Sequence, residues 1–167
     1  MNKFITVIFA ACFLIVHSCS LADEPLELPK SFEVTSQNKL FAAISDPQKG
    51  TTVLDSVTRK EKWTIPGWHR SLIVSNDGEH LITMYGGLNL IPIDYDENMA
   101  LITIWTHGKI TQKISVKQIV PDKDYMRKTV SHYHWGDVIG VDGSDQLVIK
   151  RQDGQEFKID FRFGLVK

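Results

Sequence analysis

Apolar residues along this chain come in short alternating runs, and the clearest of them flank one turn. Leu72-Ile73-Val74 and Leu81-Ile82-Thr83-Met84-Tyr85 are separated by Ser75-Asn76-Asp77-Gly78-Glu79. Asn, Asp and Gly tolerate the positive φ that a hairpin turn demands. Both runs are too short for helices and rich in β-branched or aromatic residues, so they predict strands. Their apolar side chains point to both faces, which predicts cover on both sides, as in the middle of a sandwich or a propeller blade. Pro66-Gly67 before the hairpin and Gly86-Gly87 after it mark corners. The rest of the chain is organised around this stretch, Trp63 to Leu90.

Further strands are predicted at Lys39–Ser45, Thr51–Val57, Lys62–Ile65, Val138–Val141 and Leu147–Arg151. Leu88–Ile93 is extended and interrupted by Pro92, and Leu101–Thr106 with Lys109–Val116 form a second hairpin about His107-Gly108. Near the end, Phe157, Ile159, Phe161 and Phe163 alternate with Lys158, Asp160 and Arg162, the pattern of a half-buried strand with one wet face. Only residues 117–129 look helical, and Pro121 breaks them. The expected fold is all-β: an antiparallel meander of about nine or ten short strands with at most one short helix near 117–129. Sandwich, open barrel and partial propeller are its candidate architectures.

The turn sequence Ser75-Asn76-Asp77-Gly78-Glu79-His80-Leu81 is echoed at Ser36-Gln37-Asn38-Lys39-Leu40 and at Asp142-Gly143-Ser144-Asp145-Gln146-Leu147. Such turns resemble those of YVTN- and WD-type propeller blades. At roughly 40–50 residues per blade the chain supplies about three, and a closed propeller needs at least four. A complete monomeric propeller is therefore excluded.

The N-terminus carries an address. Lys3, the apolar run Phe4–Val16 and the small residues Ser20 and Ala22 predict a signal peptide over 1–22, cleaved before Asp23. The alternative is lipidation of Cys19, because Val16-His17-Ser18-Cys19 resembles a bacterial lipobox and would tether the protein to the outer membrane. Residues 23–31, with Pro25 and Pro29, form an extended lead-in, and 32–167 form a single β domain. Cys12 and Cys19 are the only cysteines, so the domain has no disulfide and no thiolate ligand or nucleophile. Absent disulfides and absent Asn-x-Ser/Thr acceptors favour the bacterial envelope, as a periplasmic or exported protein, over a secreted eukaryotic domain. No run after the leader is long and apolar enough for a membrane span. From Asp23 onward 18 basic residues face 20 acidic ones, net −2, with no basic stripe for nucleic acid.

Two stretches carry candidate chemistry. In Ser131-His132-Tyr133-His134-Trp135-Gly136-Asp137 an extended backbone points His132 and His134 to one face, the geometry of a metal clamp, with Asp137, Asp142 or His69 as third ligand. The plainer reading puts Tyr133 and Trp135 in the core and the histidines toward water or a neighbouring strand. Trp68-His69-Arg70 sits at a corner, where binding residues concentrate, whereas Trp63 and Trp105 lie inside strands and read as core. Asp94-x-Asp96-x-Asn98 opens like a calcium loop, but Met99 and Trp105 stand where that loop needs its glycine and closing glutamate. GxSxG, P-loop, GxGxxG, HExxH and CxxC motifs are absent, and no cofactor is implied.

Gly67-Trp68, Ser75 to Leu81, Tyr85-Gly86-Gly87-Leu88-Asn89-Leu90 and Ser131 to Gly136 resemble motifs of a family of small exported bacterial proteins with no assigned activity. The resemblance runs from about Leu40 to Gly140 and implies importance for Trp68, Arg70, Asn89, His132, Tyr133, Trp135 and Gly136. The functional expectation is a non-catalytic envelope module that binds a partner protein or an envelope ligand. Its candidate ligand-binding residues are Trp68, His69, Arg70, Asn89, His132, Tyr133, His134 and Trp135. The rival is a metal-dependent enzyme or metal-binding protein built on His132 and His134.

Overall fold

The computed structural model describes residues 26–166, so the leader, Cys19 and the cleavage position lie outside the described residues. The first four strands, β1 (Phe32–Thr35), β2 (Phe41–Asp46), β3 (Gly50–Asp55) and β4 (Glu61–Ile65), pair in sequence order as one antiparallel sheet. A second sheet takes the central hairpin, β5 (Leu72–Val74) and β6 (His80–Met84). After a short strand β7 (Leu90–Pro92) it continues with β8 (Ala100–Thr106) and β9 (Lys109–Ser115), giving the order β5-β6-β8-β9. Helix α1 (Val116–Ile119) and a 3-10 turn at Lys123–Tyr125 follow. Strands β10 (Arg127–Lys128) and β11 (His132–His134) join β7 in a small sheet, order β10-β11-β7. The last sheet is β12 (Gly136–Val141), β13 (Gln146–Arg151), β14 (Glu156–Asp160) and β15 (Gly164–Val166), again in sequence order. The all-β expectation holds, with one short helix and no closed barrel among the described residues. Three consecutive four-stranded meanders have the strand order of propeller blades.

The second sheet lies between the other two large ones, as its two-faced pattern predicts. Leu72, Val74, Leu81 and Trp105 pack with Ala43, Val53, Trp63 and Ile65 of the first sheet. On the other face Ile82, Ile102, Ile104 and Ile114 pack with Leu147, Ile149 and Ile159 of the last. Cross-strand pairs keep the faces separate, with Leu81 opposite Trp105 and Ile82 opposite Ile104. The indole N–H groups of the two strand tryptophans are satisfied inside: Trp63 donates to the Gly78 carbonyl (3.0 Å) and Trp105 to Thr83 Oγ1 (2.9 Å). The β8–β9 turn is the expected two-residue one, with His107 and Gly108 both at positive φ (49° and 80°).

The echoed turns prove to be one structural device. Each closes the first hairpin of a large sheet, and in each a short polar side chain accepts the far backbone N–H. Ser36 Oγ accepts from Phe41 (3.1 Å), Ser75 Oγ from His80 (3.0 Å) and Asp142 Oδ1 from Gln146 (3.2 Å). The three turns also meet. Asn38 N–H donates to Asn76 Oδ1 (2.8 Å), and Asn76 donates from its backbone and carboxamide to the two oxygens of Asp145 (3.1 and 2.9 Å). Gln37 Nε2 donates to the Val141 carbonyl (3.5 Å), joining the first sheet to the last. All three meanders therefore share a vertex.

Three features differ from the sequence reading: the number of strands, the end of the final run and the start of the helix. Strands β1, β10, β11 and β15 bring the count among the described residues to fifteen. The final run does not continue to Phe163. Asp160, expected on a wet face, is buried and its Oδ1 accepts the N–H groups of Arg162 and Phe163 (2.8 and 3.1 Å), which turns the chain. Phe163 is left 72% exposed. Helix α1 starts earlier than its sequence suggests because the Gln118 side chain accepts the Ser115 N–H (2.9 Å), a reciprocal cap. Its last turn is held by Arg151, which donates to the Ile119 carbonyl (2.8 Å) and to both carboxylate oxygens of Asp153 (2.8 and 2.6 Å). The guanidinium lies over the Tyr125 ring at 4.0 Å.

Candidate functional site

The chain leaves the second sheet at Tyr85 on its way to β7 and first enters the last sheet at Gly136, and these two passages run side by side. Trp135 N–H donates to the Asn89 carbonyl (3.1 Å) and its indole N–H to the Leu88 carbonyl (3.0 Å). The indole is 2% exposed. Gly87 and Gly136 both owe their identity to close approach. A Cβ on Gly87 would lie 2.7 Å from the Leu90 carbonyl oxygen, and one on Gly136 2.5 Å from that of Lys150. Around Trp135 opens a cleft of about 280 Å³ lined by Ser71, Met84, Leu88, Asn89, Trp135, Asp137 and Val138. Leu88 and Val138 stand partly exposed at its rim, 38% and 39%.

Beside the cleft, Asn89, His134 and Asp137 form a polar triangle. Asn89 Nδ2 donates to His134 Nε2 (2.6 Å) and lies 3.3 Å from Asp137 Oδ1, which is also 3.3 Å from His134 Nε2. The carboxamide nitrogen and the Asp137 carboxylate both face Nε2, and the other ring nitrogen, Nδ1, points into the interior. That nitrogen is buried and has no hydrogen-bond partner. Such an orphan is uncommon in a folded interior.

The sequence candidates divide into three places. Asn89, His134, Trp135 and the suggested third ligand Asp137 come together. Tyr133 packs edge-to-face on Tyr95 at 6.1 Å, and burial beside Tyr133 raises the Tyr95 hydroxyl above its usual range. His132 Nδ1 lies 2.8 Å from Ser131 Oγ. The two histidines of the suggested clamp therefore engage different neighbours. Asp142 caps its turn and pairs with Lys158 (2.8 Å). His69 stands against Trp105 at 6.1 Å, and burial lowers its pKa. Among the described residues no three His, Cys, Asp or Glu side chains stand close enough to hold a metal ion. Trp68 and Arg70 form a separate corner that contacts residues 27–32. The Asp94–Asn98 loop is a turn in which Asp96 Oδ1 accepts the Asn98 N–H (2.8 Å), with Glu97 paired to Lys117 (2.7 Å).

Sequence reasoning missed Ser71, Met84, Leu88 and Val138 as cleft residues. Val138-Ile139, two adjacent apolar residues in an exposed strand, was the one signal available, since Ile139 is 59% exposed. A second recess of about 200 Å³ carries Asp77, His80, Asp145 and Asp160. Its carboxylates are occupied in shaping turns, Asp77 with Ser75 and the Glu79 N–H, Asp145 with Asn76. Burial, with Asp77 and Asp160 nearby, pushes the Asp145 carboxyl above the usual range. No protein-family model matches the chain, and no curated protein matches it at a significant level.

Proposed function

We propose that this protein is a non-catalytic binding module of the bacterial envelope, and that it takes an apolar side chain or a comparably small apolar ligand into the cleft at Trp135. The cleft itself carries the reading. Leu88, Met84, Trp135 and Val138 give it apolar walls, and Asn89, Asp137 and Ser71 give it a few polar groups, the composition of a recognition pocket. At about 280 Å³ it is just below the usual size for a drug-like molecule and suits a single large side chain of a partner. Export rests on the leader pattern of residues 1–22, with Cys19 lipidation as the alternative route to the same compartment. The metal-dependent rival draws no support from the described side-chain positions, because His132 and His134 do not converge there with a third ligand.

An NMR titration of the isotope-labelled protein with indole and with N-acetyl-leucine methylamide tests this reading. Shifts at the Trp135 indole N–H and the Asn89 carboxamide are expected, and Val138→Trp, which plugs the rim, removes them. Saturable binding that leaves those two groups unmoved refutes the cleft. Cell fractionation that finds the protein in the cytosol with its leader intact refutes the compartment.

A further inference from the structure

The Trp68–Arg70 corner already holds an extended peptide, and that peptide is the chain's own. Trp68 Nε1–H donates to the Lys30 carbonyl (2.8 Å), and Arg70 Nη2 donates to the Glu27 carbonyl (2.6 Å). The guanidinium sits 5.0 Å from the indole ring centre, and Phe32 meets the same indole edge-on at 6.3 Å. The two carbonyls are three residues apart on Leu26-Glu27-Leu28-Pro29-Lys30, which Pro29 biases toward extended backbone. Three residues is the repeat of a polyproline II helix, so carbonyls at this spacing face one side. Aromatic corners recognise proline-bearing segments because such segments lose little freedom on docking and leave their carbonyls unpaired.

The seated segment uses almost nothing but its backbone. All five of its residues are exposed, Leu28 is 85% exposed, and Glu27 pairs with Lys30 rather than with the domain. What the segment has in its favour is covalent attachment, which raises its local concentration to the millimolar range. A competing segment that also packs a side chain against Trp68 and Phe32 has more to gain. We propose that this corner is a docking site for an extended, proline-bearing segment of a partner protein, which displaces the chain's own Leu26–Lys30. The proposal stands apart from the Trp135 cleft, because the two sites report through different tryptophans.

The test uses the protein as its cells deliver it, isotope-labelled and titrated with the synthetic peptide Pro-Leu-Glu-Leu-Pro-Lys-Ser to concentrations well above the roughly millimolar one of the tethered segment. A saturable shift of the Trp68 indole N–H is expected, together with release of the Glu27–Lys30 resonances from their bound positions. Trp68→Phe keeps a ring and loses the donor, so it weakens peptide binding by about three- to tenfold. Pro29→Gly, in the exposed lead-in where folding is not at stake, loosens the internal competitor and strengthens peptide binding severalfold. A peptide with both prolines replaced by alanine binds more weakly. The proposal falls if the Trp68 indole does not respond, if Trp68→Phe binds as the parent does, if Pro29→Gly changes nothing, or if the proline-free peptide binds equally well.

Discussion

Asn89→Ala separates a structural role for the Asn89–His134 contact from a ligand-binding one. His134 is 8% exposed, and its Nδ1 is without a partner. The Asn89 carboxamide at 2.6 Å is the closest partner of its Nε2. Alanine removes that donor and leaves a buried imidazole facing only Asp137 at 3.3 Å. Leaving a buried polar group unsatisfied costs about 1–3 kcal/mol. For a domain of this size that lowers Tm by roughly 3–9 °C, at about 3 °C per kcal/mol. His134→Phe keeps the ring volume and removes both nitrogens, including the orphan. Half-buried Asn89 can then turn to Asp137 or to water, so that variant is expected within about 1 kcal/mol of the parent. In the His134→Phe background Asn89→Ala should cost almost nothing, giving a coupling energy of about 1–3 kcal/mol from urea unfolding of the four proteins. The reasoning is refuted if Asn89→Ala unfolds at the parental midpoint, or if it costs as much in the His134→Phe background as in the parent.

Two further outcomes follow from local geometry. Gly136→Ala puts a Cβ 2.5 Å from the Lys150 carbonyl, backbone that cannot move without breaking the β12–β13 ladder, so a loss of about 1–3 kcal/mol is expected by chemical denaturation. Gly86→Ala, with nothing within 4 Å of the added carbon, should be neutral, and equal losses in the two variants contradict the close-approach account. The Arg151 guanidinium beside Asp153 holds that carboxyl at about 2, below its ordinary 3.8. A depressed folded-state pKa stabilises the fold above the ordinary value, and that contribution disappears as pH falls through about 2. Asp153→Asn should therefore flatten part of the acid limb of a stability-versus-pH curve, and an unchanged limb tells against the clamp.

The legible parts of the fold are those governed by neighbours in sequence. Leu72–Val74 and the His107-Gly108 turn follow from alternation and turn chemistry within a few residues. The overrun to Phe163 shows the limit of that logic. Phe161 and Phe163 continue the alternation, but Asp160 can cap a turn, and pattern alone does not say which of the two prevails. Short strands such as β11 and β15, three residues each, offer too few positions for a period to register. For the site, only a motif resemblance singles out Asn89, Trp135 and Gly136 in the sequence, whereas the Asn89–His134 contact joins residues 45 apart, and no local rule pairs them. Strand geometry points His132 and His134 the same way, yet His132 engages the adjacent Ser131 while His134 meets Asn89 from a distant loop, a difference that strand period alone does not carry.

Sequence by itself settled that this chain folds as short antiparallel strands, that its central hairpin is covered on both faces, and that three similar turns recur. Those properties depend on φ preferences and on side-chain periodicity, which act over a handful of residues. Only the tertiary structure decided that the three turns touch, that the Trp68 corner grips residues 27–30, and that a cleft opens beside Trp135. Each of these joins distant segments by hydrogen bonds whose partners are chosen by sheet packing, and packing is a property of the whole chain.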